Sequence, residues 1–546
     1  MIAESRFDVV IAGGGLAGLC LALQLRQRHE ALSVLVVEPN ERPLPEAAHK
    51  VGESSVESAS HYFIETLGLG DLLEDEVRKF GLRFFMSEGD NRDLTTRLEC
   101  GPSHFLYKPS FQIDRGQFEN RLAERTEAAG AVLLAGARVS GVELADGGSA
   151  PSGEDHAIEI RRGRQRKRVS ARWFVDASGR AAVLRKRLDT GRTSRHRANA
   201  AWFRVDAALD VDTFSDSEAW LARNEEPRRL STNHLIGEGY WVWLIPLAHD
   251  RTSVGIVASA NLHPFETISS FDRVKDWLDR HEPQLAGVIR DHAAQRMDFR
   301  AIKHYGQDIE HVFGAGRWAI SGDAGVFIDP LYSPGSDFIG ISNTMIGELV
   351  ARDLAGEPTE DLAETYDQLY RSLTRTFLVT YHRQYAILGN PRAMVLKFVW
   401  DFVMYWGGPA LIFCRNRIHD PAFMARCRSQ LQAFAEANVR MQAFFREWNA
   451  ARDGDPPLPA NTFVDYAELA FLSDLNRSLL ESADDEATLE ELDRNVALAH
   501  ALAREISSTV ADHNPKLTKP VAGASTNHLA PAFAQLYSGR ASDDPR

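Results

Sequence analysis

The stretch "FDVVIAGGGLAGLCLALQL", residues 7–25, decides how this chain is read. It begins as an apolar β-run, passes through three glycines, and continues from Leu16 with apolar residues at helical spacing. A second apolar run, "SVLVVEP" at 33–39, completes a strand–helix–strand unit, the opening of a doubly wound α/β sheet. Within it, Gly13-Gly14-Gly15-Leu16-Ala17-Gly18 is a GxGxxG motif. Glycines at these places permit a tight turn, close approach of backbone to a pyrophosphate, and close helix–strand packing. Glu38 ends the second strand 20 residues after Gly18, where a carboxylate can accept the hydroxyls of an adenosine ribose.

Composition sets the bounds around this frame. The chain has 546 residues, 44% hydrophobic and 25% charged, which suits a large core and two or three domains. A net charge of −14 argues against a nucleic-acid partner, which needs a basic surface. Cys20, Cys100, Cys414 and Cys427 form no CxxC pair and no His cluster has zinc spacing, so neither a metal site nor a disulfide framework is expected. A reducing cytoplasm fits this cysteine usage. The glycines explain residues 7–25 better than a signal peptide does. The other apolar stretch, "AMVLKFVWDFVMYWGGPALIFC" at 393–414, contains Lys397, Asp401 and a Gly-Gly-Pro break. It reads as a core or channel-lining helix and not a membrane span.

Further along, "FQIDRGQFENRLAERTEAAG" from residue 111 reads as a strand followed by a capped helix, and "ADGGSAPSGEDH" at 145–156 as a hairpin loop. The expected organisation is a nucleotide-binding frame over 1–355 with a β-sheet layer inserted at about 197–300. A helical region follows over 356–512, helping to form a substrate pocket, and then a loosely ordered tail over 513–546.

Two further motifs place an acid beside small residues at a strand end: "FVDASGR", with Asp176, Gly179 and Arg180, and "ISGDAG", with Gly322 and Asp323. The order GxGxxG, D-x-x-G-R, G-D resembles the flavoprotein monooxygenase superfamily. It implies FAD in a Rossmann-like, GR2-type frame, with Asp323 reaching the ribityl chain. No second GxGxxG suits a nicotinamide cofactor. The resemblance therefore implies a separate flavin reductase as transient partner, or NAD(P)H that docks only briefly.

"YWVWLIP" at 240–246 contains a WxWxIP. By itself it is a strand with two tryptophans on one face, ending at a proline. The pattern resembles the signature of flavin-dependent halogenases, in which the tryptophans, here Trp241 and Trp243, wall the flavin from the substrate. "VGESSVES" at 51–58 looks like that family's flavin-contacting loop, and "RKFGLRFF" at 78–85 puts Lys79 where its catalytic lysine falls. The resemblance implies that Gly13, Gly15, Ala17, Gly18, Glu38, Val51, Gly52, Glu53, Ser54, Arg115, Asp176, Gly179, Asp323, Pro330 and Gly335 hold FAD. It also implies that reduced FAD and O2 turn chloride or bromide into hypohalous acid, which travels through a tunnel to Lys79. There it meets an electron-rich substrate, a free small molecule or one tethered to a carrier protein. A lysine suits this task because its amine can donate to HOX or be halogenated itself.

The segment "DPLYSPG", 329–335, departs from the family's tryptophan-halogenase branch, which reads D-P-L-E-S-T-G there. Tyr332 stands in place of the glutamate that assists tryptophan halogenation, so free tryptophan is not the expected substrate. Pro334 stands in place of a threonine whose N–H helps to hold halide, and proline has no N–H. Ser333, Gly335, Tyr332, Trp241 and Trp243 are the candidate halide and substrate residues. Two readings stay open: halogenation of a phenol, pyrrole or other activated carbon in specialised metabolism, and a halogenase-like monooxygenase, dehydrogenase or oxidase that uses no halide.

Overall fold

The computed structural model describes residues 4–45, 49–145, 155–459, 461–517 and 527–537. These form two compact units, each assembled from three chain segments. Most of the hairpin loop at 145–156 lies outside the described residues, as do 518–526 and 538–546 of the tail; within 527–537, Ala530–Tyr537 is a helix.

The first unit takes in residues 1–76, 113–195 and 306–378. Its sheet orders the strands Phe313–Gly314, Trp318–Ile320, Gln165–Asp176, Arg6–Ala12, Val34–Glu38 and Val132–Ala135. From Trp318–Ile320 to Val132–Ala135 all pairs are parallel. This is the doubly wound α/β fold expected from residues 7–39. Val9, Val10 and Ile11 are completely buried. Parallel strands have both faces covered, so they read as unbroken apolar runs. The antiparallel strands Arg138–Glu143 and His156–Arg162 continue the sheet from Gln165–Asp176. The helix Arg115–Ala128 is capped by Asp114, whose side chain accepts from Gly116 N–H, as the sequence pattern predicts.

The second unit takes in residues 77–112, 196–305 and 379–546. Its sheet orders Arg300–Ile302, Ala198–Val205, Arg251–Ser259, Tyr240–Leu247, Thr232–Gly237, Leu82–Met86, Leu98–Gly101 and Phe463–Asp465. Side chains alternate between its faces. Phe85, Leu235, Val242, Leu244, Val254 and Ile256 share one core with Val274, Trp277, Leu285 and Ile289 of the helices Phe271–His281 and Pro283–Asp291. The opposite face carries Phe84, His234, Trp241 and Trp243, and Phe84 stacks on Phe398 of the helix Pro391–Tyr405 at 3.6 Å between ring centroids. The strand Tyr240–Leu247 does not end at Pro246 but runs one residue beyond it, with Pro246 opposite Thr252. Pairing with Thr232–Gly237 stops at Leu244, so at Pro246 only one edge is paired, a place where proline is tolerated. In the apolar stretch at 393–414, Lys397 and Asp401 are buried as an ion pair at 2.5 Å. Among the described residues no helix is long and apolar enough to cross a membrane.

Candidate active site

At Gly13, Gly14 and Gly18 the GxGxxG turn of the first unit leaves no room for side chains. Gly13 has φ +107°, and a Cβ there would lie 2.3 Å from the carbonyl oxygen of Ala177, in the "FVDASGR" turn. A Cβ at Gly18 would lie 2.0 Å from the carbonyl oxygen of Gly13. Gly14 N–H donates to Glu38 Oε2 at 2.7 Å, while Glu38 Oε1 accepts from the backbone and side chain of Asn40. Glu38 is thus fixed at the turn while its oxygens keep further lone pairs for a ribose. Asp176 Oδ1 accepts from Ser178 N–H at 3.0 Å and Oδ2 from Leu184 N–H at 2.7 Å, which binds the D-x-x-G-R turn together; Gly179 within it has φ +58°. Burial raises the Asp176 carboxyl, and these donors act against that rise.

The open side of the glycine turn faces charge. A Cβ at Gly15 would meet only Lys50 Nζ at 3.8 Å and Glu119 Oε2 at 4.0 Å. Lys50 pairs with Glu119 at 3.1 Å and Arg115 with Glu119 at 2.6 Å. Arg115 also donates to the carbonyls of Val51 and Gly52, at 3.0 and 3.1 Å, and so carries the loop that contains Glu53 and Ser54. Burial raises the Asp323 carboxyl, and the charges of Arg115, Arg180 and Lys50 pull it back. Three cations from separate segments thus act on one acid. The residues fit FAD: room for a pyrophosphate at Gly15, cations to meet it, and Glu38 and Asp323 for the ribose and ribityl hydroxyls. Ala17 closes the floor, since a Cβ on Gly322 would lie 3.1 Å from its own. Lys50, Glu119 and Arg42, whose Nη2 donates to Gly14 O at 2.5 Å, were not legible in the sequence because no local motif contains them.

The turn 329–335 is built by Asp329, whose Oδ1 accepts from Leu331 N–H, and by Ser333 N–H donating to Pro330 O. Tyr332 and Ser333 both have left-handed backbone, at φ 68° and 58°. The helix Gly335–Leu354 follows with Pro334 at its N-cap. Its first intrahelical bond is Phe338 N–H to Pro334 O, so the N–H groups of Gly335, Ser336 and Asp337 lie ahead of it. A Cβ on Gly335 would meet nothing within 4 Å. Asp337 Oδ1 accepts from Ala59 N–H at 2.8 Å, which ties this helix to the segment that follows the Val51–Ser54 loop.

In the second unit Lys79 and both tryptophans are buried. Lys79 is 4% exposed; its N–H donates to Ser110 O, and Phe80 N–H to Leu230 O, just before the strand Leu82–Met86. Trp241 and Trp243 lie 5.7 Å apart, centroid to centroid. Trp241 Nε1 donates to Tyr385 OH at 2.9 Å, and Trp243 Nε1 to Ser253 Oγ at 3.1 Å. His234 lies opposite both Phe84 and Trp243 in the sheet register, with its ring 4.8 Å from Phe84 and 5.4 Å from Trp241. Sequence reading missed His234 and Tyr385. A lone histidine in an apolar strand carries no pattern, and Tyr385 lies 144 residues from Trp241.

The profile of the tryptophan halogenase family matches residues 8–87 and 89–384. The chain is 26% identical over 437 residues to flavin-dependent halogenase chlA of Dictyostelium discoideum, covering 74% of this chain and 70% of that one. It is 24% identical over 360 residues to a 1H-pyrrole-2-carbonyl peptidyl-carrier-protein chlorinase of Pseudomonas fluorescens, covering 61% and 73%. Among solved structures, halogenase PltM in complex with phloroglucinol and FAD superimposes with a TM-score of 0.62 at 15% identity, covering 91% of this chain and 96% of that one.

Proposed function

This chain belongs to the tryptophan halogenase family of FAD-dependent oxidoreductases, and we propose that it makes hypohalous acid from chloride or bromide and delivers it through Lys79 to an electron-rich carbon. Reduced FAD, when bound, would supply two of the four electrons with which O2 yields water and hypohalous acid, and the halide the other two. Gly13, Gly15, Ala17, Gly18, Glu38, Asp176, Gly179 and Asp323 hold the cofactor in this reading, with Arg115 setting the Val51–Ser54 loop. A flavin reductase supplies it in reduced form, and the reaction runs in the cytoplasm. Pro330 and Gly335 border the flavin, and the Gly335 N–H and Ser333 serve the halide. Trp241 and Trp243 form an apolar wall that keeps water from the reacting atoms.

The observation that carries the reading is Lys79, buried in the same unit as the two tryptophans. A solvated surface lysine would need no such enclosure. The substrate is a phenol, pyrrole or similarly activated ring, because Tyr332 offers no carboxylate for tryptophan; a carrier-tethered substrate has a precedent in the pyrrole chlorinase relative. Two features favour a second reading, oxygenation or dehydrogenation without halide: Pro334 has no N–H, and the Asp337 carboxyl occupies the first turn of the helix that would meet the anion.

The test supplies reduced FAD, O2 and chloride or bromide, with monochlorodimedone and an indole and phenol panel as acceptors. Mass spectrometry should find a gained halogen. A gained oxygen or a lost hydrogen pair under every halide, with no halogenated product, would sink the halogenase reading in favour of the second.

A further inference from the structure

Behind the turns of the first unit lies a buried polar side chain that the site description has not used. Asn343 of the helix Gly335–Leu354 is completely buried, and its amide makes three hydrogen bonds. Nδ2 donates to Ala17 O at 3.0 Å and to Tyr62 OH at 3.1 Å. Oδ1 accepts from Ser321 Oγ at 2.7 Å. A side-chain amide nitrogen carries two hydrogens, so both are placed. The chain runs on at each end. Tyr62 OH donates to Gln24 Oε1 at 2.7 Å, which leaves its oxygen to accept from Asn343. Ser321 Oγ lies 2.9 Å from Ser342 Oγ. Gln24, Tyr62, Ser321 and Ser342 are as buried as Asn343 or nearly so.

The partners of Asn343 come from three separate segments of this unit. Ala17 belongs to the GxGxxG motif and to the first turn of the helix Leu16–Arg28. Ser321 directly precedes Gly322 and Asp323, and its N–H donates to Asp176 O at 3.0 Å, in the D-x-x-G-R turn. Tyr62 follows the short helix Glu57–His61, beyond the Val51–Ser54 loop. One amide therefore joins the glycine helix, the Gly-Asp turn and the segment after the loop. Buried hydrogen bonds of this kind fix both distance and direction, and a network of them is rigid only while each member has its partner.

We propose that Asn343 is a positioning residue for FAD: it sets the spacing between the GxGxxG helix and the Gly322–Asp323 turn, so that one cofactor is held at both. This rests on the reading in which the glycine turn takes the pyrophosphate and Asp323 the ribityl hydroxyls, and not on halide chemistry. Asn343 acts through Ala17 and Ser321. A ligand that spans both turns gains affinity when their spacing is fixed before it binds. A ligand that reaches only the glycine turn does not. FAD is the first kind and ADP, which carries the adenosine and pyrophosphate without the ribityl chain, is the second.

The test measures the Kd of oxidised FAD and of ADP by calorimetry on the full-length apoprotein, as wild type, Asn343→Leu and Ser321→Ala. Leucine has nearly the shape of asparagine and removes all three bonds. In Asn343→Leu the Kd for FAD should rise on the order of tenfold or more. The Kd for ADP should stay within about twofold of the wild type. Ser321→Ala removes one bond of the three and should weaken FAD by a smaller factor, again with ADP unchanged. The double variant should bind FAD no more weakly than Asn343→Leu, because Ser321 acts through Asn343. Equal losses for FAD and ADP would reveal general loosening and overturn the proposal. So would an unchanged Kd for FAD in both single variants, or a wild type that binds FAD but not ADP. Should Asn343→Leu not fold, Ser321→Ala decides by the same comparison. A wild type that binds no FAD overturns the flavin-site reading and this inference with it, whereas one that binds FAD but halogenates nothing overturns the halogenase reading alone.

Discussion

At Pro334 the turn before the helix Gly335–Leu354 gives up a backbone donor, while Gly335 keeps its own. A hydrogen bond to a desolvated anion contributes about 1.5–3 kcal/mol. Pro334→Thr should therefore lower the KM for bromide roughly ten- to a hundredfold with little change in kcat, read from halide titrations at saturating reduced FAD. An unchanged KM would mean that the missing N–H does not limit halide use. A second residue makes a prediction about pH. Burial pushes the Glu76 carboxyl up to about 7, although Asp114 N–H at 2.8 Å and Arg121 at 2.6 Å oppose the rise. The folded state thus binds this proton more tightly than the unfolded chain. The resulting stability is fully present below the unfolded value near 4.5 and is lost as the pH rises through about 7. Glu76→Gln mimics the protonated form, so above about pH 8 it should stabilise the protein by on the order of 1–3 kcal/mol, an advantage that vanishes towards about pH 5. Glu88, also raised to about 7, titrates in both proteins and cancels in the difference. Thermal midpoints across this range that move in parallel would refute the assignment.

Among the elements, the strand Tyr240–Leu247 depends most on its neighbour. Trp243 lies opposite Gly255, and a Cβ there would fall 2.1 Å from the indole ring. The space at Gly255 is therefore the seat of the Trp243 ring. Gly255→Ala should cost about 1–3 kcal/mol by overpacking and should shift tryptophan fluorescence as the indole moves; an unchanged melting temperature would show that the strand relaxes freely. This pair also shows what can be read from sequence and what cannot. The GxGxxG turn, the D-x-x-G-R and G-D turns, and the paired tryptophans are local patterns, and each is found where its spacing predicts. The seat of Trp243 is not local. Neither is the parallel pairing of Leu82–Met86 with Thr232–Gly237, which joins the segment of Lys79 to that of His234 across about 150 residues. Both strands are buried on both faces, so they lack the alternation that reveals a partner or a register. The surroundings of His234 are unreadable for the same reason: its ring lies against Arg83 O and Phe84, neither near it in the chain.

At the scale of the whole molecule, the proposed reaction divides between the two units. Every residue proposed above to hold the flavin, with Gly335 and Ser333, belongs to the unit of residues 1–76, 113–195 and 306–378. Lys79, His234, Trp241 and Trp243 belong to the other. Each sheet closes within its own unit, so a substitution at Lys79 leaves the strands around the GxGxxG turn untouched. Oxidation of halide and transfer of halogen should therefore be separable by mutation. In Lys79→Ala, oxygen consumption and reoxidation of reduced FAD should proceed within about twofold of the wild type, while halogenated phenol falls by on the order of 10³-fold or more. The hypohalous acid no longer delivered should appear in solution and halogenate monochlorodimedone at close to the wild-type rate. Simple unfolding would abolish all three signals together, so the pattern and not the loss carries the information. Halogenated phenol at the wild-type level would remove Lys79 from the reaction. Slowed flavin reoxidation with full FAD loading would show instead that Lys79 acts before hypohalous acid forms, and the division of labour between the units would have to be redrawn.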